Sequence, residues 1–343
     1  MQVFSLAKYL LLIVSLLSGL YSQAQQHTLL DRIIRQTQEG SVYRKRLLWD
    51  TLKPQIYAAY NTAGTDTLVA LRAAVGLMLD KLDDNHSFIL YKGKYIGRAG
   101  RRNTMDRLNQ QTKNALKKQL GSPVHIAKLA NGIAYISVPG MPAGPKDGPD
   151  KAHILGQKLR DSLCSLDLSR LKGIIVDLRL NTGGNMYPMI GGLGPLLGDG
   201  NAGSFIRDGK ILSTWGIKRS NVYLGRRAFT TINNNCKPNR KLKIAVLIGP
   251  VTSSAGEATA ISFIGKKNVK SFGEPTSGLI TANQMMALAA DVYYYLSVST
   301  EADRNGKEYT KPIQPDELIM DGDNFENLHA DQKVIAALKW LEN

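Results

Sequence analysis

The segment Lys243-Ile-Ala-Val-Leu-Ile-Gly-Pro-Val-Thr-Ser-Ser-Ala-Gly-Glu257 constrains the fold more than any other stretch of this chain. Its apolar run reads as a strand, which breaks through Gly249-Pro250 into a turn of small residues and re-emerges as a helix. The turn also carries chemical potential. A serine at the first turn of a helix faces unpaired backbone N–H groups and the positive end of the macrodipole, and both favour an oxyanion. Serine and threonine are equally good helix caps, so this segment alone is compatible with a structural role.

The rest of the chain narrows the choice. Lys8, the apolar run Tyr9 to Leu20 and then Ser22-Gln23-Ala24 form a secretory signal over residues 1–24, with cleavage expected after Ala24. The run is short for a membrane span, which needs ~20 apolar residues. No cysteine follows it, so a lipid anchor is not expected. The mature protein is expected to be periplasmic or secreted, without stable membrane insertion once the signal is removed. Its formal charge falls from +16 to about +15. The cations are spread along the chain, as in Arg44-Lys45-Arg46, Arg101-Arg102 and Lys117-Lys118, with no zinc-finger spacing or RNA-binding aromatic signature. That pattern is a solvated surface and argues against a nucleic-acid partner. Cys164 and Cys236 are the only cysteines. Two thiols in an oxidising compartment can pair, but sequence does not say whether these two come within bonding range.

Leu29, Ile33, Ile34, Leu47, Leu48, Leu52 and Ile56, and then Leu68 to Leu82 behind an Asp66 cap, recur at helical spacing. They predict a small helical subdomain over 25–90. Residues 91–124 read as a polar, basic linker with a short amphipathic helix over Met105 to Leu120. After Val124, strands at Ile133–Val138, Gly173–Arg179, Lys243–Ile248, Val269–Phe272 and Val292–Val298 are interleaved with helices at Ala152–Leu166, Glu257–Lys267 and Ala330–Leu341. Alternation of this kind predicts an α/β domain over 125–343.

A second loop has chemical content. Asp177-Leu-Arg-Leu-Asn-Thr-Gly-Gly184 ends a buried strand in a glycine pair, which permits positive φ and close approach of a ligand to backbone N–H groups. It lacks the Gly-Lys-Ser/Thr ending of a phosphate loop. Together with Gly132-Ile-Ala-Tyr-Ile-Ser-Val-Pro139, the Ser254 segment, Gly273-Glu-Pro-Thr-Ser-Gly278 and Ile313-Gln-Pro-Asp316, this loop resembles the S41 family of serine peptidases, the tail-specific or C-terminal-processing proteases. The resemblance covers about residues 125–343 in the family's order. It implies an α/β (α+β) fold with a crotonase/ClpP-like core, a peptide or protein substrate, and no cofactor or metal.

The family's nucleophilic serine falls on Ser254. The resemblance gives the oxyanion donors as the N–H groups of Ala255 and Gly184, with Gly183 as the lesser alternative to Gly184; each such donor is typically worth ~3 kcal/mol. In the family's serine/lysine branch a lysine follows Gly-Glu-Pro-Thr-x-Gly directly, and here that position is Leu279, which cannot take a proton. Lys266 and Lys267 lie about three helical turns from Ser254. The other branch, similar to the tricorn protease core, uses a histidine that precedes the core. Leu79-Asp-Lys-Leu-Asp-Asp-Asn-His-Ser-Phe88 resembles that motif, so His86 is the expected base, because a neutral imidazole can accept the serine proton. His27, His125, His153 and His329 have no comparable motif. Glu308 lies near where the branch places the acid that orients its histidine, with Glu301 and Asp303 as alternatives.

About 38 residues separate His86 from the core, too few for a peptide-binding PDZ domain. The expectation is therefore an acyl-enzyme peptidase, possible cleavage near C-termini included. A non-catalytic peptide- or small-ligand-binding protein on the same scaffold is the alternative. An enoyl-CoA-type enzyme is disfavoured by export, because CoA is cytosolic.

Overall fold

The computed structural model describes residues 28–99, 108–119, 124–141, 144, 146–219, 221–234, 236–239 and 241–343. The expected signal segment over 1–24 lies outside the described residues. Helices α1 (28–40), α2 (Trp49–Thr62) and α3 (Thr67–Lys81) precede strands β1 (Phe88–Tyr91) and β2 (Lys94–Ile96). After α4 (Gln110–Gln119) come β3 (Ile126–Lys128), β4 (Ile133–Ser137), α5 (Pro149–Cys164), β5 (Gly173–Asp177), α6 (Met186–Gly192) and α7 (Gly194–Leu197). Next are β6 (Gly200–Arg207), β7 (Lys210–Lys218), β8 (Asn221–Leu224), β9 (Arg227–Thr231), β10 (Lys243–Ile248), α8 (Ala255–Phe263) and β11 (Val269–Gly273). The chain closes with β12 (Thr281–Ala289), β13 (Val292–Asp303), β14 (Glu308–Tyr309), β15 (Glu317–Leu318) and α9 (Gln332–Glu342).

These elements form two compact units. One takes the chain up to Arg101 and Asn283–Val298; the other takes Arg102–Ala282 and Ser299–Asn343. In the smaller unit, Leu30, Ile33 and Ile34 on α1, Leu52, Ile56 and Tyr60 on α2, and Leu71, Val75, Met78 and Leu79 on α3 are all buried. Their three- and four-residue spacing gives each helix one apolar face. Asp66 caps α3 by accepting the Val69 N–H at 2.9 Å. Lys92 and Gly93, at φ 48° and 78°, make the tight turn between β1 and β2. This hairpin replaces the start of the linker that the polar composition of 91–124 predicts. β1 also pairs antiparallel with the first half of β13, Phe88 opposite Tyr295. That pairing, with Leu288, Tyr294 and Leu296 packed among the helices, takes Asn283–Val298 out of the core expected to run unbroken over 125–343. Sequence periodicity cannot show such a return, because the partner strand lies some two hundred residues away.

The larger unit holds a six-stranded sheet in the order β15-β11-β10-β5-β4-β3. It is parallel from β4 to β15, with β3 antiparallel at one edge. Every position of β5 is buried, as a strand covered on both faces requires. Ile174 and Val176 pack in one layer with residues of α5, α6 and α8, while Ile175 packs in the other with α9. The second half of β13 pairs with β6, Thr300 opposite Ile206, and β6 to β9 continue as an antiparallel meander. Where the amphipathic helix was expected, α4 begins at Gln110; residues 100–107 and 120–123 are outside the described set.

Two devices lock this unit. Cys164 at the end of α5 is disulfide-bonded to Cys236, with Cα atoms 5.4 Å apart, which answers the pairing the sequence left open. The buried Arg179 donates to Asp177 (2.6 Å), Asp323 (2.7 Å) and Asp331 (2.7 Å), and Lys333 donates to Asp323 (2.7 Å) and Glu274. Buried carboxylates persist only when paired in this way. No helix among the described residues is long and apolar enough to cross a membrane.

Candidate active site

β10 ends at Ile248, and the turn that follows is bound to the end of β5 by main-chain and hydroxyl bonds. The Thr252 hydroxyl donates to Leu178 O at 2.8 Å and accepts the Gly249 N–H at 3.0 Å. The Ser253 N–H donates to Asn181 O at 3.0 Å. Ser254 then adopts φ 53° and ψ −119°, a conformation that side chains rarely take and that costs of the order of 1–3 kcal/mol unless its surroundings enforce it. It is half-buried at the N-terminus of α8, all of whose residues are buried. The helix dipole therefore ends on a hydroxyl in a poorly solvated setting.

The glycine pair lies against this turn. Gly183 has φ 92°, and a Cβ there would stand 2.7 Å from Ser253 O, 2.9 Å from Ser254 Cβ and 3.3 Å from Ala255 N. Only glycine allows that approach. The Gly183 N–H is committed to Asn181 Oδ1 at 2.9 Å, and its carbonyl accepts the Met141 N–H at 3.0 Å. Among the described residues, no hydrogen bond uses the N–H of Gly184 or that of Ala255. An arrangement of one hydroxyl beside two uncommitted N–H donors is chemically suited to acyl transfer.

Glu257, wholly buried one turn into α8, ties the site to the Gly273–Gly278 segment. Its carboxyl accepts the Ser254 N–H at 2.9 Å, the Gly278 N–H at 2.8 Å and the Thr276 hydroxyl at 2.5 Å. Burial pushes its pKa up to about 7 against the pull of these bonds. Sequence reasoning used Glu257 only to locate the serine, and missed Asn181 and Thr276 as holding residues. The signal available was their place within the quoted motifs.

The acids separate by location. Glu308 is exposed, accepts the Thr300 hydroxyl at 2.5 Å, and lines a cavity of about 440 Å³ with Ala260 and Phe263 from the C-terminal half of α8 and Ile264 just beyond it. Ser254 is at the other end of that helix. Glu301 is buried; burial first, and then the charge of Glu257, holds its carboxyl well above the usual range, and its Oε2 has no partner. Asp303 caps its own turn, accepting the Asn305 and Lys307 N–H groups and the Tyr309 hydroxyl at 2.9 to 3.1 Å.

His86 belongs to the smaller unit, whereas Ser254, Gly184, Ala255 and Glu308 belong to the larger. Its loop is organised by the buried Asp84, whose carboxylate accepts the His86 N–H at 3.0 Å, the Ser87 N–H at 2.9 Å and the Ser87 hydroxyl at 2.5 Å. Asn283 Nδ2 donates to His86 O at 2.9 Å, and Asn283 Oδ1 accepts the Ser297 hydroxyl at 3.0 Å. His86 is half-buried, and next along the loop Phe88 stacks on Tyr295, with ring centroids 4.5 Å apart.

Comparison with known proteins bears on the larger unit most directly. The sequence profile described as peptidase family S41 matches residues 132–319. A nisin-resistance protein of Lactococcus lactis subsp. lactis is 31% identical over 191 residues, 55% of this chain and 57% of that protein. The match thus spans little more than half the length of that relative. A lipoprotein from Streptococcus agalactiae superposes with a TM-score of 0.64 at 23% identity, covering 94% of this chain and 96% of that one. A photosystem II D1 C-terminal processing protease gives a TM-score of 0.54 at 13% identity, covering 86% and 93%. At these identities the structural likenesses establish the α+β fold.

Proposed function

The chain belongs to peptidase family S41, and from that premise we propose that it hydrolyses peptide bonds through an acyl-enzyme on Ser254. The observation that carries this reading is Ser254 at positive φ on the end of buried α8, packed against Gly183 and beside the uncommitted N–H groups of Gly184 and Ala255. In the proposed mechanism Ser254 Oγ attacks the peptide carbonyl while His86 takes its proton. The oxyanion forms on the Gly184 and Ala255 N–H groups. The C–N bond breaks as His86 gives its proton to the leaving amine. Water then attacks the ester, His86 accepts a proton from it, and Ser254 leaves with that proton restored. Glu308 is the proposed acid that orients His86, with Glu301 as the alternative; Glu308→Gln and Glu301→Gln, compared by kcat against pH, separate the two.

The substrate is proposed to be a protein or peptide, met outside the cytoplasm. Two relatives support a cell-envelope setting, one a lipoprotein and the other named for nisin resistance. The test is reaction with a fluorophosphonate probe. Wild type should label, Ser254→Ala should not, and His86→Ala should label far more slowly. Labelling that survives Ser254→Ala removes the nucleophile, and an inert wild type favours a binding protein on a peptidase scaffold.

A further inference from the structure

A peptide bond held at Ser254 brings its flanking side chains against whatever stands beside the glycine pair. Asn185 fixes that neighbourhood. Its Oδ1 accepts the Tyr187 N–H at 3.0 Å, and its own N–H donates to Met141 O at 2.7 Å. Tyr187 is three residues from Gly184, so their Cα atoms are within about 10 Å. Its ring stacks on Phe229 of β9, with centroids 4.1 Å apart and planes inclined by 20°. Phe229 is 40% exposed. Burial, and secondarily the charge of Glu301, pushes the Tyr187 phenol up to about 12, so it stays neutral. The stack therefore offers a flat aromatic surface close in the chain to Gly184, with the Arg227 guanidinium 5.7 Å from the Phe229 centroid at its edge.

We propose that Tyr187 and Phe229 form the specificity-determining ledge of this site, on which the substrate lays a large apolar side chain, aromatic above all, close to the cleaved bond. The proposal rests on the reading of Ser254 as nucleophile. A lone exposed aromatic is ordinary on a protein surface. A stacked pair adjoining the Gly183-Gly184 loop is different, because covering the exposed part of Phe229, beside Arg227, with a substrate ring gains both buried area and an aromatic contact. Those two gains correspond to a preference of about 10- to 30-fold over a small side chain at that subsite.

A mixture of proteome-derived peptides, with cleaved bonds read by mass spectrometry, tests the ledge alongside fluorophosphonate labelling, which does not need it. Wild type should favour Phe, Tyr and Leu at one position near the cut. Phe229→Ala and Tyr187→Ala should flatten that preference and lower kcat/KM for aromatic peptides about tenfold, while Phe229→Trp restores it. Labelling of Phe229→Ala should stay within about twofold of wild type, which shows that the nucleophile is intact. A wild type that labels but shows no such preference, or variants that retain it, overturns the ledge. An unlabelled wild type instead overturns the reading of Ser254 beneath it.

Discussion

Ser254 and His86 are held by opposite means. The serine is fixed by main chain: Ser253 N–H on Asn181 O, Gly183 pressed against Ser254 Cβ, and a helix beginning at the next residue. The histidine is fixed by side chains from separate stretches, Asp84 beside it and Asn283 and Ser297 from the β12–β13 hairpin. A turn nailed by backbone fails through steric clash, whereas a loop nailed by side chains loosens one hydrogen bond at a time. The two halves of the proposed machinery should therefore differ in how steeply they respond to substitution.

The largest effect tests whether they act as one unit. Ser254→Ala should lower kcat by about 10⁶, a typical figure for removing a serine nucleophile. His86→Ala should fall comparably, and the double variant should be no worse than the more damaged single. Additive losses in steady-state hydrolysis would mean that the two residues serve different steps.

The backbone half is sharpened by two glycine variants. Gly183→Ala puts a Cβ 2.7 Å from Ser253 O at φ 92°, and should reduce kcat by about 10²–10³, the scale of one lost oxyanion donor. Gly209→Ala, at φ 72° with nothing within 4 Å, carries comparable backbone strain and no clash. It should lower the melting temperature and leave kcat alone. Equal kcat in the two variants would show that crowding at Ser254 is immaterial.

Glu257 gives the same turn a pH dependence. Its folded pKa of about 7 is above its ordinary 4.5, so its contribution to stability is complete below about pH 4.5 and disappears as pH rises through 7. The shift corresponds to roughly 3 kcal/mol, and Glu301, raised in the same direction, adds to the slope. Denaturation midpoints between pH 4.5 and 8 should fall less steeply for Glu257→Gln than for wild type. Matching slopes would remove Glu257 as the source.

The same contrast explains what could be read in the sequence. The strand, turn and helix around Ser254 are local, so apolar run, Gly-Pro break and glycine pair spell them out. Four strands of the six-stranded sheet, β4, β5, β10 and β11, were legible from their buried runs for the same reason, whereas the short edge strands β3 and β15 carry too few residues to show a pattern. The return of Asn283–Val298 to the N-terminal helices was not, because β13 alternates no differently for one partner than for another. Glu257 was visible but unread: nothing in its spacing announces a buried carboxyl bonded to Thr276 and Gly278. Asn283 gave no signal at all, since a polar residue on a strand reads as solvent-facing.

That unread asparagine supplies the smallest and most discriminating effect. Asn283→Ala removes the donor to His86 O and the acceptor for Ser297, a loss of about 1 kcal/mol for a typical bond. If the bond positions His86, kcat should fall about fivefold with KM unchanged, and fluorophosphonate labelling of Ser254 should slow in step. Asn283→Asp keeps the acceptor and loses only the donor, so it should be equally slow. Should both variants turn over at the wild-type rate, Asp84 alone suffices to hold the histidine. His86 would then be as locally built as Ser254, and the distinction between the two halves would collapse.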